Sequence, residues 1–234
     1  MVPDVSTERD AWPALRTAVV RDAVGIGVAT GAYALSFGAI ATAAGFSVAQ
    51  TCVLSLAMFT GASQFALAGV VGTGGAASTG VATAVLLGTR NALYGVRLSP
   101  LLSVRGVRRL AAAHLVIDES TAMATAREEP RAGRLGFWAT GLAVFFCWNT
   151  GTAIGAAGAS VLADPRSLGL DAAAPAAFLA LVAPRLRRRE TATVAAIAVL
   201  AALVSTPFVA AGVPVLLAAL VAVGAGLRPG TGSG

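Results

Sequence analysis

The chain has 234 residues, of which 56% are hydrophobic and 12% are charged, and its formal net charge is +6. A soluble domain carries about 25% charged residues, so the low charge and the long apolar runs predict an integral membrane protein. All the basic side chains are Arg, and they cluster between apolar runs, as expected for cytoplasmic loops. We therefore predict that the chain lies in a lipid bilayer and that it does not bind nucleic acid.

The apolar runs predict an all-α, polytopic transmembrane bundle with seven or eight spans, because backbone groups in lipid must form hydrogen bonds within a helix. Most of the runs approach the roughly 20 residues needed to cross a bilayer, and the sixth and seventh are at the short limit. The fourth is the weakest, because it carries one His and two carboxylates. The predicted spans lie near residues 22–45, 48–72, 77–104, 108–126, 135–162, 172–186, 191–207 and 212–227.

These spans predict one transmembrane domain over residues 21–227. Residues 1–20 are predicted to be a cytoplasmic N-terminal segment, since they lack the basic, apolar and small-residue order of a cleavable signal. Residues 228–234 are predicted to be a disordered tail. The expected location is a membrane, with multiple passes.

The basic loops give the expected orientation. An eight-span arrangement puts the Arg clusters at 16–21, 127–134 and 185–189 in the cytoplasm. It leaves the Arg residues at 105–109 facing outward, against the same rule. Either one segment does not cross fully or this loop is an exception, and both interpretations remain open.

A faint internal repeat occurs at an offset of 113 residues, where 38–45 aligns with 151–158. Transporters are often built from such repeats, with the binding site between them. The alternative is a chance resemblance between spans rich in small residues. Two G-x-x-x-G pairs, Gly27 with Gly31 and Gly151 with Gly155, predict close helix packing.

The polar island Thr60-Gly61-Ala62-Ser63-Gln64 lies in the middle of the second predicted span. It is a candidate unwinding point at which Gly61, Ser63 and Gln64 would contact a substrate, as in the discontinuous helices of transporters. The alternative is that Ser63 and Gln64 form hydrogen bonds between helices.

A second island contains Arg90, Asn91 and Tyr94, which are candidate substrate-binding residues, and Arg97 lies on the same helical face as Arg90. An Arg near the centre of a span is costly unless it has a partner. It can bind a substrate carboxylate through two hydrogen bonds, or it can form a structural ion pair with Asp118 or Glu119.

Asp118 and Glu119 are the candidates for proton coupling, because burial favours the protonated form of a carboxylate. The alternative is that both are solvated at the membrane interface. Asn149 and Gly151, in a polar island of the fifth span, are further substrate-binding candidates. Asp171 is interpreted as a helix cap.

No catalytic, metal or cofactor site is predicted. Cys52 and Cys147 lie in apolar runs without C-x-x-C spacing and are interpreted as buried, unbridged side chains. The scarcity of His and Cys disfavours a bound metal, and no nucleotide-binding loop of the G-x-x-x-x-G-K-[ST] type occurs.

Several of these motifs, in this order, resemble the AzlC family, the large subunit of bacterial branched-chain amino acid exporters. The resemblance covers roughly residues 15–190. Gly88 and Asn91 replace the Asn and His usual in the family, and Ile117 replaces a Thr. The matching segments are Ser36-Phe37-Gly38-Ala39, Thr60 to Phe65, Gly88 to Tyr94, Ile117-Asp118-Glu119, Asn149 to Thr152 and Gly169 to Asp171.

The resemblance implies proton-driven export of neutral amino acids such as valine, leucine, isoleucine or methionine. It also implies a small AzlD-type membrane subunit as a partner. Two alternatives remain. An intramembrane serine hydrolase would use Ser63 with His114 as its base, and a non-transporting scaffold would account for the G-x-x-x-G pairs but not for Arg90.

Overall fold

A computed structural model describes residues 5–161, 179, 183, 185–209 and 213–226, and these ranges contain helices and no strand. Residues 185–187 form a single 3-10 turn. The α-helices are α1 (Val5–Ala43), α2 (Val48–Met58), α3 (Gly61–Gly72), α4 (Ala77–Leu102), α5 (Val107–His114), α6 (Asp118–Thr125), α7 (Pro130–Val161), α8 (Arg189–Ser205) and α9 (Val213–Gly226).

The long helices α1 and α7 pack against each other at the centre of the bundle and run parallel. A Cβ on Gly27 would touch Ala143, one on Gly31 would touch Cys147, and one on Gly38 would overlap the α7 backbone near Ala156. These glycines let the two backbones approach closely, as predicted from the G-x-x-x-G pairs. Because the contacts advance in the same direction along both helices, α1 and α7 are parallel.

Helices α2 and α3 form a hairpin that turns back on itself. Helix α2 starts next to the end of α1, where Ser47 and Gln50 form a reciprocal cap. Helix α3 returns along α1, because Phe65 stacks on Tyr33 with the ring centroids 5.0 Å apart. Its last residue, Gly72, lies against Ala44. Both ends of the hairpin therefore lie at the same end of α1.

Helices α5 and α6 form a second hairpin, which enters from the opposite end of the bundle. Its base lies near the start of α7, because a Cβ on Gly133 would meet both Leu101 and the Ala124 carbonyl. Its turn lies further along α7, where Leu115 packs against Gly141. The hydroxyl of Ser120 holds this turn by accepting from the Ile117 amide and donating to the Leu115 carbonyl.

Helix α4 connects the two hairpins by running the full length of the bundle. It passes Leu67 of α3 at Gly80 and reaches the start of α7 at Leu101, whose carbonyl accepts from Arg134. With 26 residues it is about 39 Å long at 1.5 Å per residue. Each hairpin helix is only about 12–18 Å long, roughly half of a 30 Å hydrocarbon core.

Two expectations from the sequence are therefore corrected. Residues 48–72 and 108–126 are not single crossing spans, because each breaks near its middle and returns to the end from which it came. The breaks fall at Phe59–Thr60 and at 115–117. The first break includes Thr60, the first residue of the island at 60–64, where unwinding was predicted.

The fold also resolves the position of the loop at 105–109. Because the first hairpin returns and α4 runs the length of the bundle, this loop lies at the same end as Asp22 and Arg127, whose side chains pair at 2.9 Å. Arg131 stacks on Trp12 at this end, 3.8 Å from the ring centroid. The Arg residues at 16–21, 105–109 and 127–134 thus share one end of the bundle, so the apparent violation disappears.

The count of seven or eight spans is not confirmed. Among the described residues, Trp12–Ala43 and Pro130–Ala159 are long and apolar enough to cross a membrane. Helix α1 begins within the predicted N-terminal segment, and α8 and α9 correspond to the predicted runs at 191–207 and 212–227. Most of the run at 172–186, Asp171 and the tail at 228–234 lie outside the described residues.

Candidate functional site

The turns of the two hairpins meet near the middle of the bundle. Phe59, at the turn of the first hairpin, stacks on His114, the last residue of α5, with the ring centroids 5.6 Å apart. Phe145 of α7 packs edge-on against both rings. Phe59 is 4% exposed and His114 is exposed, so the stack has one buried side and one accessible side.

The break between α2 and α3 is held by buried hydrogen bonds. Gln64 is fully buried, donates through Nε2 to the Ser55 carbonyl at 3.3 Å, and accepts through Oε1 from Trp148 Nε1 at 2.9 Å. Ser63 is also buried and donates to the Ala84 carbonyl at 2.8 Å. These contacts correspond to the alternative interpretation, in which Ser63 and Gln64 form hydrogen bonds between helices.

Gly61 is positioned by the same indole ring. A Cβ at this residue would lie 2.9 Å from the Trp148 ring, so only glycine allows α3 to start this close to α7. Trp148 also packs against Tyr33, Phe37 and Phe65. The first turn of α3 is therefore fixed in place by an aromatic cluster.

An ion pair joins α4 to the second hairpin. Arg90 Nη2 lies 2.8 Å from Asp118 Oδ2, and the two side chains are 39% and 44% exposed. The Nε of Arg90 and the Oδ1 of neighbouring Asn91 are buried and have no hydrogen-bond partner. The structural ion pair weighed from the sequence is present, and it lies where a ligand can reach both charges.

The other predicted site residues have contacts of their own. Glu119 is half-buried in the first turn of α6, next to Asp118, and Tyr94 packs against the hydrophobic core one turn after Arg90. Asn149 donates to the Phe145 carbonyl at 2.8 Å, while its Oδ1 is buried without a partner. Gly151 packs against the Gly31 backbone, which indicates a role in helix packing.

The sequence analysis did not identify Phe59 as a site residue. The signal that marks it is its place before Thr60-Gly61, where the helix breaks. Phe59 adopts φ 22° and ψ 54°, a conformation that is unfavourable for a bulky residue and persists only where packing enforces it.

The described part of the chain contains no group of three or more His, Cys, Asp or Glu side chains that could hold a metal ion. Cys52 and Cys147 are both free thiols. The groups described at the site are one guanidinium, two neighbouring carboxylates, amide oxygens, the His114 imidazole and aromatic rings.

Broken helices that meet inside a bundle, next to a paired charge, are an arrangement typical of secondary transporters. The family model described as AzlC protein matches residues 25–162, more than half of the chain. The chain therefore belongs to the AzlC family, and this membership supports a function related to branched-chain amino acid transport. No curated protein and no solved structure matches the chain.

Proposed function

We propose that the chain is the large subunit of a secondary transporter that exports branched-chain or other neutral amino acids across the bacterial plasma membrane, driven by the proton gradient. The observation that carries this proposal is the accessible ion pair between Arg90 and Asp118, at the turn of a half-length hairpin. Family membership supports the same class of substrate.

A zwitterionic amino acid needs a cation for its carboxylate and an anion for its ammonium group, and the ion pair offers both. A partly exposed ion pair contributes about 0–1 kcal/mol, so a substrate can displace Asp118 from Arg90. The guanidinium can then bind the substrate carboxylate in bidentate geometry. The released Asp118 is left to pair with the ammonium group.

Other residues complete the proposed site. The unpartnered Oδ1 of Asn149 is an acceptor for the ammonium group, and the aromatic rings near Phe145 provide apolar contact for the substrate side chain. Asp118 and Glu119 are the proposed proton-coupling residues, because they share the first turn of α6 next to Arg90. Ser63, Gln64 and Gly61 hold the first hairpin in place.

The proposal includes a small AzlD-type membrane subunit and a multi-pass arrangement in the bilayer. Several apolar side chains of α4 are exposed in the isolated chain, among them Leu93 and Val96. Lipid or a second subunit would cover them. The loop at 105–109 and the Arg clusters at 16–21 and 127–134 are then cytoplasmic.

The test is efflux of preloaded radiolabelled leucine from cells expressing the chain, with and without the small membrane protein encoded beside it. Efflux that requires both chains and collapses with a protonophore supports the proposal. Efflux equal to that of empty vector, with both chains confirmed in the membrane and across a panel of neutral amino acids, would overturn it.

The role of Arg90 has its own test. Arg90→Ala is expected to reduce efflux by about tenfold to hundredfold, because a hydrogen bond to a charged group contributes about 1.5–3 kcal/mol. Arg97→Ala is the matched control, since Arg97 is exposed on the same helix. Equal efflux from Arg90→Ala and wild-type protein would remove the carboxylate-binding role.

The hydrolase alternative receives no support from the geometry. A nucleophilic serine needs its base within hydrogen-bond reach, whereas the Ser63 hydroxyl donates to the Ala84 carbonyl and is 1% exposed. His114 instead stacks on Phe59.

A further inference from the structure

We propose that Phe59 and His114 form the closing contact of the transport path, and that the Arg90–Asp118 ion pair holds this contact shut. This inference rests on the proposed transport function. It goes beyond that function by assigning the moving contact and its link to the substrate site.

The two hairpins touch each other at their turns. Helix α3 packs on α1 and α4, and both α2 and α6 pack on α7, while neither helix of one hairpin packs extensively along a helix of the other. The ring contact between Phe59 and His114 joins their turns. If the two rings separate, no hydrogen bond within either hairpin has to break.

The ring contact between Phe59 and His114 is weak enough to open and close. Stacked aromatic rings contribute about 0.5–1.5 kcal/mol beyond the area that they bury, which is small enough for the contact to open during each transport cycle. Phe59 also has a strained backbone conformation, and strain of this kind is often found at segments that move. The backbone conformation of Phe59 is therefore imposed by the packing around it and is not one that the residue itself favours.

The turn of the second hairpin links this ring contact to the proposed substrate site. His114 ends α5 and Asp118 begins α6, so both belong to the turn of the second hairpin. The ion pair to Arg90 fixes this turn against α4. A substrate carboxylate that takes the place of Asp118 on Arg90 releases the turn, and His114 can then move away from Phe59.

One test measures, without transport, how accessible the turn at residue 59 is with and without the Arg90–Asp118 ion pair. In a chain with Cys52→Ala and Cys147→Ala, the variant Phe59→Cys is treated with a methanethiosulfonate reagent and its labelling rate is measured. Adding Arg90→Gln is expected to increase this rate at least about fivefold, the lower end of a typical coupling between sites. Leu67→Cys, which replaces another buried residue of the first hairpin, should label at an unchanged rate.

An unchanged labelling rate at residue 59 after Arg90→Gln would overturn the link between the ion pair and the contact. An equal increase at residue 67 would also overturn it, because it would indicate general loosening of the fold. Asp118→Asn removes the same pair from its other side and should reproduce the effect of Arg90→Gln.

A second test locks the contact. In the same background, Phe59→Cys with His114→Cys is bridged by a short bifunctional methanethiosulfonate. Bridging is expected to stop the leucine efflux that the double-cysteine variant shows before treatment, and reduction is expected to restore it. The same treatment should leave the efflux of Leu67→Cys unchanged. Full flux through the bridged protein, or failure of the two thiols to bridge, would overturn the proposal.

Failure of the proposed function has a different signature. If the cysteine-free parent exports no amino acid but Phe59→Cys still responds to Arg90→Gln, the closing contact stands and the substrate assignment falls. If the parent exports leucine and the bridged protein exports it equally, the substrate assignment stands and the closing contact falls.

Discussion

The indole of Trp148 is the side chain on which the first hairpin depends most directly. It donates to Gln64, which is fully buried, and its ring fixes the position of Gly61. Trp148→Phe keeps the ring volume in part but leaves the Gln64 Oε1 without its donor. A buried acceptor without a partner costs about 1–3 kcal/mol. We therefore expect a lower unfolding temperature, measured in detergent by the fluorescence of a thiol-reactive dye.

Trp138→Phe is the matched control for this prediction, because Trp138 lies on the same helix and is only partly buried. If both variants unfold at the same temperature, the hydrogen bond between Trp148 and Gln64 does not stabilise the fold. The double variant Trp148→Phe with Gln64→Leu removes both polar partners and should recover part of the lost stability.

Individual residues of the site could be predicted from the sequence only in part. Arg90 is recognisable because a charge inside an apolar run needs a partner, and Asp118 was among the partners considered. Gln64 has the same appearance whether it binds a ligand or another helix. Its partner, Trp148, is 84 positions away, and nothing in the local pattern around Gln64 indicates this pairing.

At the scale of the elements, the parallel contact between α1 and α7 is the feature most sensitive to substitution. A Cβ on Gly155 would overlap the backbone of Leu35, whereas one on Gly158 would meet nothing within 4 Å. Gly155→Ala is therefore expected to destabilise the protein. Overpacking of this kind typically costs about 1–3 kcal/mol.

Gly158→Ala is expected to leave the stability unchanged or to raise it slightly, because Ala favours the helix by about 1 kcal/mol over Gly. The measurement is thermal unfolding of both variants, together with the yield of folded protein. Equal behaviour of the two variants would show that α1 and α7 are not in close contact at this point.

The hairpins show why hydropathy alone misjudges such elements. An apolar run of 25 residues, such as 48–72, has the length of one crossing helix and also the length of two half-length helices with a turn. The distinction lies in the turn, where Phe59 and Thr60 leave helical geometry, and in long-range contacts such as that of Ser63 with Ala84. The existence of an interruption was predictable from the polar island, but the reversal of direction was not.

For the whole molecule, the long helices α1, α4 and α7 predict which loops share a side of the membrane in the proposed multi-pass arrangement. The structure puts residues 105–109 and 127–134 at one end and the start of α4 at the other. In intact cells, an impermeant thiol reagent is expected to label Ser78→Cys but not Arg108→Cys or Glu128→Cys, all in a background without the native cysteines. After the membrane is opened, all three should be labelled.

Labelling of Arg108→Cys from outside the cell, with Glu128→Cys protected, would instead support a crossing by residues 108–126 and the eight-span arrangement. Protection of all three positions in intact cells would contradict the placement of Ser78 at the outer end.

The two returning hairpins have a consequence for biosynthesis. A ribosome delivers residues 48–72 to the insertion machinery before α4 exists, and this segment is apolar enough to be inserted as one crossing helix. Its return depends on partners made later, because the Ser63 hydroxyl donates to the Ala84 carbonyl and Gln64 accepts from the indole of Trp148. A nascent chain stopped after residue 76 should therefore expose its C-terminal reporter on the cytoplasmic side. The same reporter inserted after residue 76 of the complete chain should lie on the outer side, so that the final topology is acquired only after synthesis has passed α7.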